Sequence, residues 1–380
     1  MAKTYGVGIM GAGNISSAYL RLAPLFRNLE VRGVADVLPE AAQKRAEEFG
    51  VKAHTPDELL KNSEIDVIVN LTVPAAHYKV TTDILSAGKH AYSEKPFVLS
   101  VEEGKAIKKQ ADERGLKVGS APDTFLGGAH QQARAIIDSG KVGKIASGTM
   151  HIMGRGMEHW HPNPDFFFQP GGGPILDMGP YYITDLISLI GPIKRVTAFT
   201  GMARTEREVT TPGSPYLGTK IKVGTPTTIH SILEFHNGAI VTLGASWDVI
   251  SHGHHNIELY GTEGSVYVPD PNFFNGDVLI TDREGVKEKV TPWDHPLGVA
   301  NQGLDTATPR ANYRNAGLAD MMDAFETGRH ARCDIDTALH AIDVMVSILK
   351  AGETGEVITL STTCERPAAL GPDEARALLR

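Results

Sequence analysis

Four groups of residues in this chain have the types and spacing to do chemistry. The first is the turn Gly11-Ala12-Gly13, between the apolar run Tyr5 to Met10 and a helical segment that begins around Asn14 and Ile15. The first glycine permits a tight turn, and the second lets a pyrophosphate approach the backbone. Free N–H groups at the start of the helix then face the phosphates. Ser16 stands at the third small position of this fingerprint. Asp36 lies 23 residues after Gly13, at the end of the second predicted strand. A carboxylate there accepts hydrogen bonds from an adenosine ribose and repels a 2′-phosphate, so the pattern predicts NAD in preference to NADP.

The second group is Lys95, flanked by Glu94 and Pro96 at the end of another predicted strand. Ligands of open α/β sheets bind at the carboxyl ends of the strands. Burial beside a cofactor is expected to lower the pKa of Lys95 enough for acid–base work, or to let it polarise a carbinol oxygen. The third group is Asp177 and Tyr181, one turn apart on a helix and therefore on one face. Pro180 favours a helix starting near it, with Asp177 just before the helix or capping it. Asp177 would orient a substrate hydroxyl and Tyr181 would relay or donate a proton, with core packing the competing role for Tyr181. The fourth is the run Trp160, His161, Asn163 and Asp165, which mixes a flat apolar surface with hydrogen-bonding groups, as sugar binding requires; Trp160 could instead pack near the nicotinamide. These parts answer the needs of secondary-alcohol oxidation: a hydride acceptor, a base and positioning groups.

Other chemistries fit less well. Glu158-His159-Trp160-His161 lacks the i, i+4 histidine pair of a zinc helix, and alternation along a strand sends His254 and His255 to opposite faces, so no metal is expected. Gly171-Gly172-Gly173 lacks the Gly-Lys-Ser/Thr ending of a phosphate loop. A net charge of −8 argues against nucleic acid. Cys333 and Cys364 make neither a disulfide framework nor a zinc spacing. No apolar run approaches the ~20 residues of a membrane span, and no signal peptide is read before the first strand, so a cytoplasmic location is expected.

The elements that must position these groups follow from periodicity. Up to about residue 120, strands alternate with helices: Tyr5 to Met10, Val31 to Ala35, Ile65 to Leu71, His90 to Ser93 and Leu116 to Gly119 read as strands, which predicts a parallel sheet with helices on both faces. Beyond it come longer strands joined by hairpin signals at Asn237-Gly238 and at Gly261-Thr262-Glu263-Gly264. The expected fold is therefore an α/β Rossmann domain, residues 1–122, followed by an α+β domain with an open, mainly antiparallel sheet, residues 123–380. Thr205 to Pro226 reads as a long loop. Helices over Asn312 to Gly328 and Thr337 to Lys350 could return to pack on the first domain, and Asn312, Tyr313 and Arg314 either reach the site or cap the surface.

The fingerprint, Glu94-Lys95-Pro96 and the run Gly171 to Tyr181 together resemble the Gfo/Idh/MocA oxidoreductases, over nearly the whole chain. The resemblance implies NAD(P)-dependent chemistry on sugars or cyclitols, a catalytic role for Lys95, an often-cis Pro96, a substrate role for Asp177 and oligomer contacts through the open sheet, in a homodimer or homotetramer. Tyr181 stands where many members have histidine. The runs Trp160 to Phe167 and Ala121 to Phe125 are similar to a sugar-dehydrogenase subgroup that includes levoglucosan-type enzymes. Gly11, Gly13, Asn14, Ile15, Asp36, Thr72, Pro74, His77, Glu94, Lys95, Asp123 and Trp160 are expected at the cofactor. Lys95, Asp123, His161, Asn163, Asp177 and Tyr181 are expected at a small carbohydrate substrate. Some relatives cleave glycosides by transient oxidation, elimination, hydration and re-reduction, and that cycle is the alternative function.

Overall fold

The computed structural model describes residues 3–380. Its first sheet begins with β1 (Tyr5–Met10), all six residues of which are buried. A strand without alternation is covered on both faces and belongs inside a parallel sheet. The chain continues through α1 (Ser16–Leu22), β2 (Leu29–Ala35), α2 (Pro39–Phe49), β3 (Lys52–His54), α3 (Pro56–Lys61), β4 (Val67–Asn70), α4 (His77–Ser86), β5 (His90–Ser93), α5 (Val101–Arg114) and β6 (Val118–Ser120). The six strands are parallel in the order β3-β2-β1-β4-β5-β6. Strand order reverses between β1 and β4, which opens a crevice at their carboxyl ends. Helix punctuation is local: Pro39 opens α2, Gly50 closes it at φ +67°, and the Ser100 side chain caps α5 by accepting from the Glu103 N–H. β3 and α3, three and six residues long, are elements that the sequence pattern does not predict. These are too short for periodicity to register, although Thr55 and Glu58 form a capping box.

The second part starts with α6 (Gly128–Asp138), β7 (Ile145–Met153) and α7 (Gly173–Ile190). It continues with β8 (Ile193–Gly201), β9 (Glu206–Glu208), β10 (Lys220–Lys222), β11 (Thr228–Phe235), β12 (Ile240–Ser246), β13 (Ile257–Gly261), β14 (Ser265–Val268), β15 (Leu279–Thr281) and β16 (Lys287–Lys289). The helices α8 (Ala316–Thr327) and α9 (Ile335–Thr354), the short strand β17 (Ile358–Thr359) and α10 (Pro372–Leu378) complete it. The large sheet has the order β16-β15-β14-β13-β7-β12-β11-β8-β17 and is antiparallel except at the β7–β12 pair. The Thr205 to Pro226 segment, read as a loop, carries the β9–β10 hairpin, whose strands are too short to stand out of a polar stretch.

One face of this sheet, with Val196, Ile229, Leu233, Val241 and Leu243, packs against α7 and α9 in a single apolar cluster. The opposite face exposes Phe199, Ile232 and Ile240. The C-terminal helices contact the first domain. α9 packs on β8 and α7, and also on α5 and β6, while Leu379 bridges to Phe26. Two parts of the molecule are thereby held across the crevice into which β1, β4 and β5 point.

Candidate active site

β5 ends at Ser93 and delivers Glu94 and Lys95 to the crevice. Glu94 is buried. Its Oε2 accepts from the Lys95 backbone N–H at 2.8 Å and its Oε1 from the Tyr19 hydroxyl at 3.0 Å. These bonds fix the backbone from which Lys95 projects. The Lys95–Pro96 peptide is cis. Across the crevice, α7 begins at Gly173, earlier than the sequence suggested, with Pro174 in its first turn and Pro180 in its interior. Asp177 is therefore a helical residue and not a cap, and Asp177 and Tyr181 do share one face. Pro180 has no N–H to offer the Leu176 carbonyl, so the ladder is open at this turn. There Lys95 Nζ donates to the Asp177 backbone carbonyl at 2.7 Å and to Asp177 Oδ1 at 3.0 Å. An ammonium has three donors, so one remains for a substrate. Lys95 Nζ also lies 5.0 Å from the centre of the Tyr181 ring.

This geometry corrects the expected electrostatics. Burial does push the Lys95 pKa down, but the charges of Asp177, Tyr181 and Glu94 outweigh it, and the net shift is upward. Lys95 is a cation at neutral pH and not a free base. Burial raises the Tyr181 hydroxyl, partly opposed by Lys95, so Tyr181 is a neutral donor. Arg314, just before α8, lies within the electrostatic reach of Tyr181, Glu94, Tyr19 and Asp123, and its charge is favoured despite burial. Tyr19 and Asn315 were missed. Asn315 opens α8 at φ +87° and its side chain donates to the Tyr19 carbonyl, joining α1 to α8 behind Glu94. In sequence Tyr19 is one more apolar position of an amphipathic helix, so nothing marked it.

Other expected residues are used differently. Asp123 is 1% exposed and accepts from the Gly317 N–H at 3.1 Å, so it holds the start of α8. Burial is the main reason its pKa is pushed up to about 6. A carboxyl whose folded pKa is raised contributes stability that is full below its unfolded pKa of ~3.9 and is lost as pH rises through the folded value. Asp123→Asn is expected to raise the melting temperature at pH 8 and to leave it unchanged near pH 4. Equal melting curves at pH 8 would refute this burden.

His77 is buried with its ring nitrogens 2.7 Å from the Pro96 carbonyl and 3.0 Å from the Thr72 carbonyl. It ties the end of β4 to the Lys95 loop, and its ring is not free for a ligand. Thr72 donates to Asn70 Oδ1, and Pro74 starts an exposed 3₁₀ turn. His161 packs edge-on against Phe166 and Phe167 and accepts from the Asn163 N–H, while the Asn163 side chain is exposed. Trp160, 56% exposed, lines a separate cavity beside Met178 and Tyr182. Among the described residues, no group of three or more His, Cys, Asp or Glu is placed to hold a metal ion.

A cavity of about 580 Å³ lies over the carboxyl ends of β1 and β4, lined by Gly11, Gly13, Asp36, Leu71, Thr72 and Val73 among others. Its walls are the parts of a dinucleotide site that face the pyrophosphate and the adenosine ribose. Gly11 sits at φ +106° with the Leu71 carbonyl 2.7 Å from where a Cβ would be, so the turn tolerates only glycine. At Gly13 a Cβ would meet nothing within 4 Å, which leaves the backbone open to a phosphate. Asp36 closes the turn, Oδ2 accepting from Ala12 N–H at 2.7 Å and Oδ1 from Leu38 N–H at 2.9 Å, and each oxygen keeps a lone pair for a ribose hydroxyl.

Two family models match: an oxidoreductase family with an NAD-binding Rossmann fold over residues 5–121, and the GFO/IDH/MocA C-terminal domain over residues 130–267. This chain belongs to the GFO/IDH/MocA oxidoreductases. It is 27% identical to levoglucosan dehydrogenase of Pseudarthrobacter phenanthrenivorans over 78% of its length and 82% of the relative's. It is 33% identical to the inositol 2-dehydrogenase/D-chiro-inositol 3-dehydrogenase of Lactiplantibacillus plantarum, over 36% of its length and 41% of the relative's. Among solved structures, an apo levoglucosan dehydrogenase superposes with a TM-score of 0.79 at 20% identity, over 96% of this chain and 100% of the other. A levoglucosan dehydrogenase complex with NADH and levoglucosan gives 0.78 at 20% identity, over 94% of this chain and 99% of the other. The Rossmann domain of this GFO/IDH/MocA member is thus an NAD-binding one.

Asp36 bears on the choice between NAD and NADP. Asp36→Ala is expected to weaken NAD binding about 10- to 100-fold, the value of charge-assisted hydrogen bonds, while relaxing discrimination against NADP. Titration with both cofactors measures this. An unchanged NAD to NADP ratio would remove Asp36 from the ribose.

Proposed function

We propose that the chain is an NAD-preferring dehydrogenase of a secondary hydroxyl on a sugar, glycoside or cyclitol. The observation that carries this reading is the Lys95–Asp177 ion pair with Tyr181 beside it, at the end of the strand that adjoins the cofactor crevice. NAD, when bound, supplies the two-electron acceptor. The third Lys95 donor points its charge at the carbinol oxygen and stabilises the negative charge that develops there. Asp177 Oδ1 accepts from Lys95, which leaves Oδ2 as the acceptor for the hydroxyl proton. Tyr181, a neutral donor one turn along α7, binds a neighbouring substrate oxygen. Glu94 and Tyr19 position Lys95 through its backbone.

The exposed face of the large sheet, with Phe199 at 81% exposure, supports assembly into a homodimer or homotetramer, which light scattering on the purified protein would measure. The test of the activity is a panel of free sugars, glycosides and cyclitols incubated with NAD, following NADH absorbance and released sugar together. Stoichiometric NADH is expected. Sugar released without net NADH would replace this reading with the hydrolytic cycle, and neither product on a broad panel would overturn both.

A further inference from the structure

The third small position of the dinucleotide fingerprint, where helix and strand pack closely, is Ser16 in this chain. Ser16 is fully buried, so its hydroxyl needs partners. It donates to the Gly13 carbonyl at 2.6 Å and accepts from Arg45 Nε, on α2, at 3.2 Å. Arg45 Nη2 donates to the same Gly13 carbonyl at 3.3 Å, and Nη1 to Glu48 Oε2 at 2.6 Å. We infer that Arg45, acting with Ser16, is a positioning residue of the cofactor site. The pair holds the peptide after Gly13 in the orientation that receives the pyrophosphate of NAD. The inference rests on NAD lying over this turn and is independent of the substrate.

A trans peptide is planar, and its C=O and N–H point in opposite directions. The Gly13 carbonyl and the Asn14 N–H belong to one such unit. The carbonyl is drawn towards Arg45 by three donors, the Ser16 hydroxyl, Arg45 Nη2 and the Ser16 N–H at 3.3 Å. The Asn14 N–H is therefore aimed away from α2. Among the described residues the N–H groups of Gly13, Asn14 and Ile15 have no backbone partner, and a Cβ on Gly13 would enter open space. Asp36 steadies the preceding peptide by accepting from the Ala12 N–H at 2.7 Å. Glycine adopts many backbone conformations, so donors carried by Gly13 must be fixed by their surroundings. Fixing them before the ligand arrives lowers the ordering cost of binding. A glycine in place of Ser16 would take from the Gly13 carbonyl its shortest contact and from Arg45 Nε its acceptor. Ser16 and Arg45 thus act as one unit. The guanidinium also places positive charge beside the turn, partly offset by Glu48.

The experiment titrates NADH, ADP-ribose and adenosine into the wild type, Ser16→Ala, Arg45→Met and the double variant. NADH fluorescence reads the first ligand and ligand-observed NMR the other two. Arg45→Met keeps a long apolar stem and loses the charge and the donors. Each single variant is expected to bind NADH and ADP-ribose about tenfold more weakly, the loss for one hydrogen bond involving an ionised group. Adenosine, which lacks the pyrophosphate, should bind each variant as it binds the wild type. The double variant should be no weaker than the weaker single one, because the two side chains act together. Wild-type affinity for NADH in Arg45→Met, an equal loss for adenosine, or additive losses in the double variant would overturn the inference. Thermal melting accompanies each titration. Should Arg45→Met fail to fold, Ser16→Ala decides alone, and NADH bound as by the wild type overturns the role. Gly13→Val separates this inference from the placement of NAD. NADH retained by Gly13→Val moves the cofactor off the turn, and the inference falls with it. NADH lost by Gly13→Val and kept by Arg45→Met leaves the cofactor in place and removes only the role of Arg45.

Discussion

Lys95→Ala is expected to lower kcat by roughly 10²- to 10⁴-fold, the usual range for losing a positioned proton donor or acceptor, while the dissociation constant for NAD changes little. The reason lies in how the charge is held. Lys95 is kept cationic by Asp177, to which it gives two hydrogen bonds, and the same arrangement leaves one N–H for the reacting oxygen. Lys95→Arg should be almost as damaging, although it keeps the charge. A planar guanidinium cannot meet both a backbone carbonyl and a carboxylate while presenting a third donor at the original point. Because the Lys95 pKa is displaced upward, loss of its proton should not limit the rate near neutral pH. A lysine titrating between pH 6 and 8 in the kcat profile, lost in Lys95→Arg, would refute the cationic role. Full activity of Lys95→Ala would remove Lys95 from the chemistry altogether.

The two glycines of the turn should fail in different ways. Gly13→Val places its side chain in space that the protein leaves empty, so the fold should survive with an unchanged melting temperature. We place the pyrophosphate in that space, so NAD binding should fall by about 100-fold or more, equivalent to roughly 3 kcal/mol. Gly11→Ala meets the Leu71 carbonyl at 2.7 Å in a left-handed conformation. It should destabilise the protein itself, by about 1–3 kcal/mol for a strained backbone position. Calorimetric titration with NAD and thermal melting of both variants separate the cases. A Gly13→Val protein that binds NAD like the wild type would move the cofactor off this turn.

Most of the first sheet was legible because its strands are continuous apolar runs and its helices carry their own stops, such as Pro39 and Gly50 around α2. Lys52–His54 and Pro56–Lys61 escaped because three residues cannot show a period. Asp177 and Tyr181 were legible as a pair from their spacing. The start of α7 was misjudged because Pro180 is a good first-turn residue, and only tertiary packing of nearly every α7 side chain tolerates it mid-helix. Asp123 and His77 show the limit of motif reading. A polar residue near a site can serve the ligand or the backbone that surrounds it, and that choice depends on partners distant in sequence, here Gly317 and Pro96. The Lys95 charge was misread for the same reason. Burial was foreseeable, whereas the carboxylate that offsets it stands 82 residues away.

The two faces of α7 have an evolutionary consequence. Residues 177 and 181 meet Lys95, and residues 178 and 182 meet the cavity beside Trp160. Mutation at the latter pair, or in the loop that carries Trp160, can reshape that wall without touching the groups that hold Lys95. Selection can thus vary one side of α7 at low risk, one helical step away from the positions that it must hold constant.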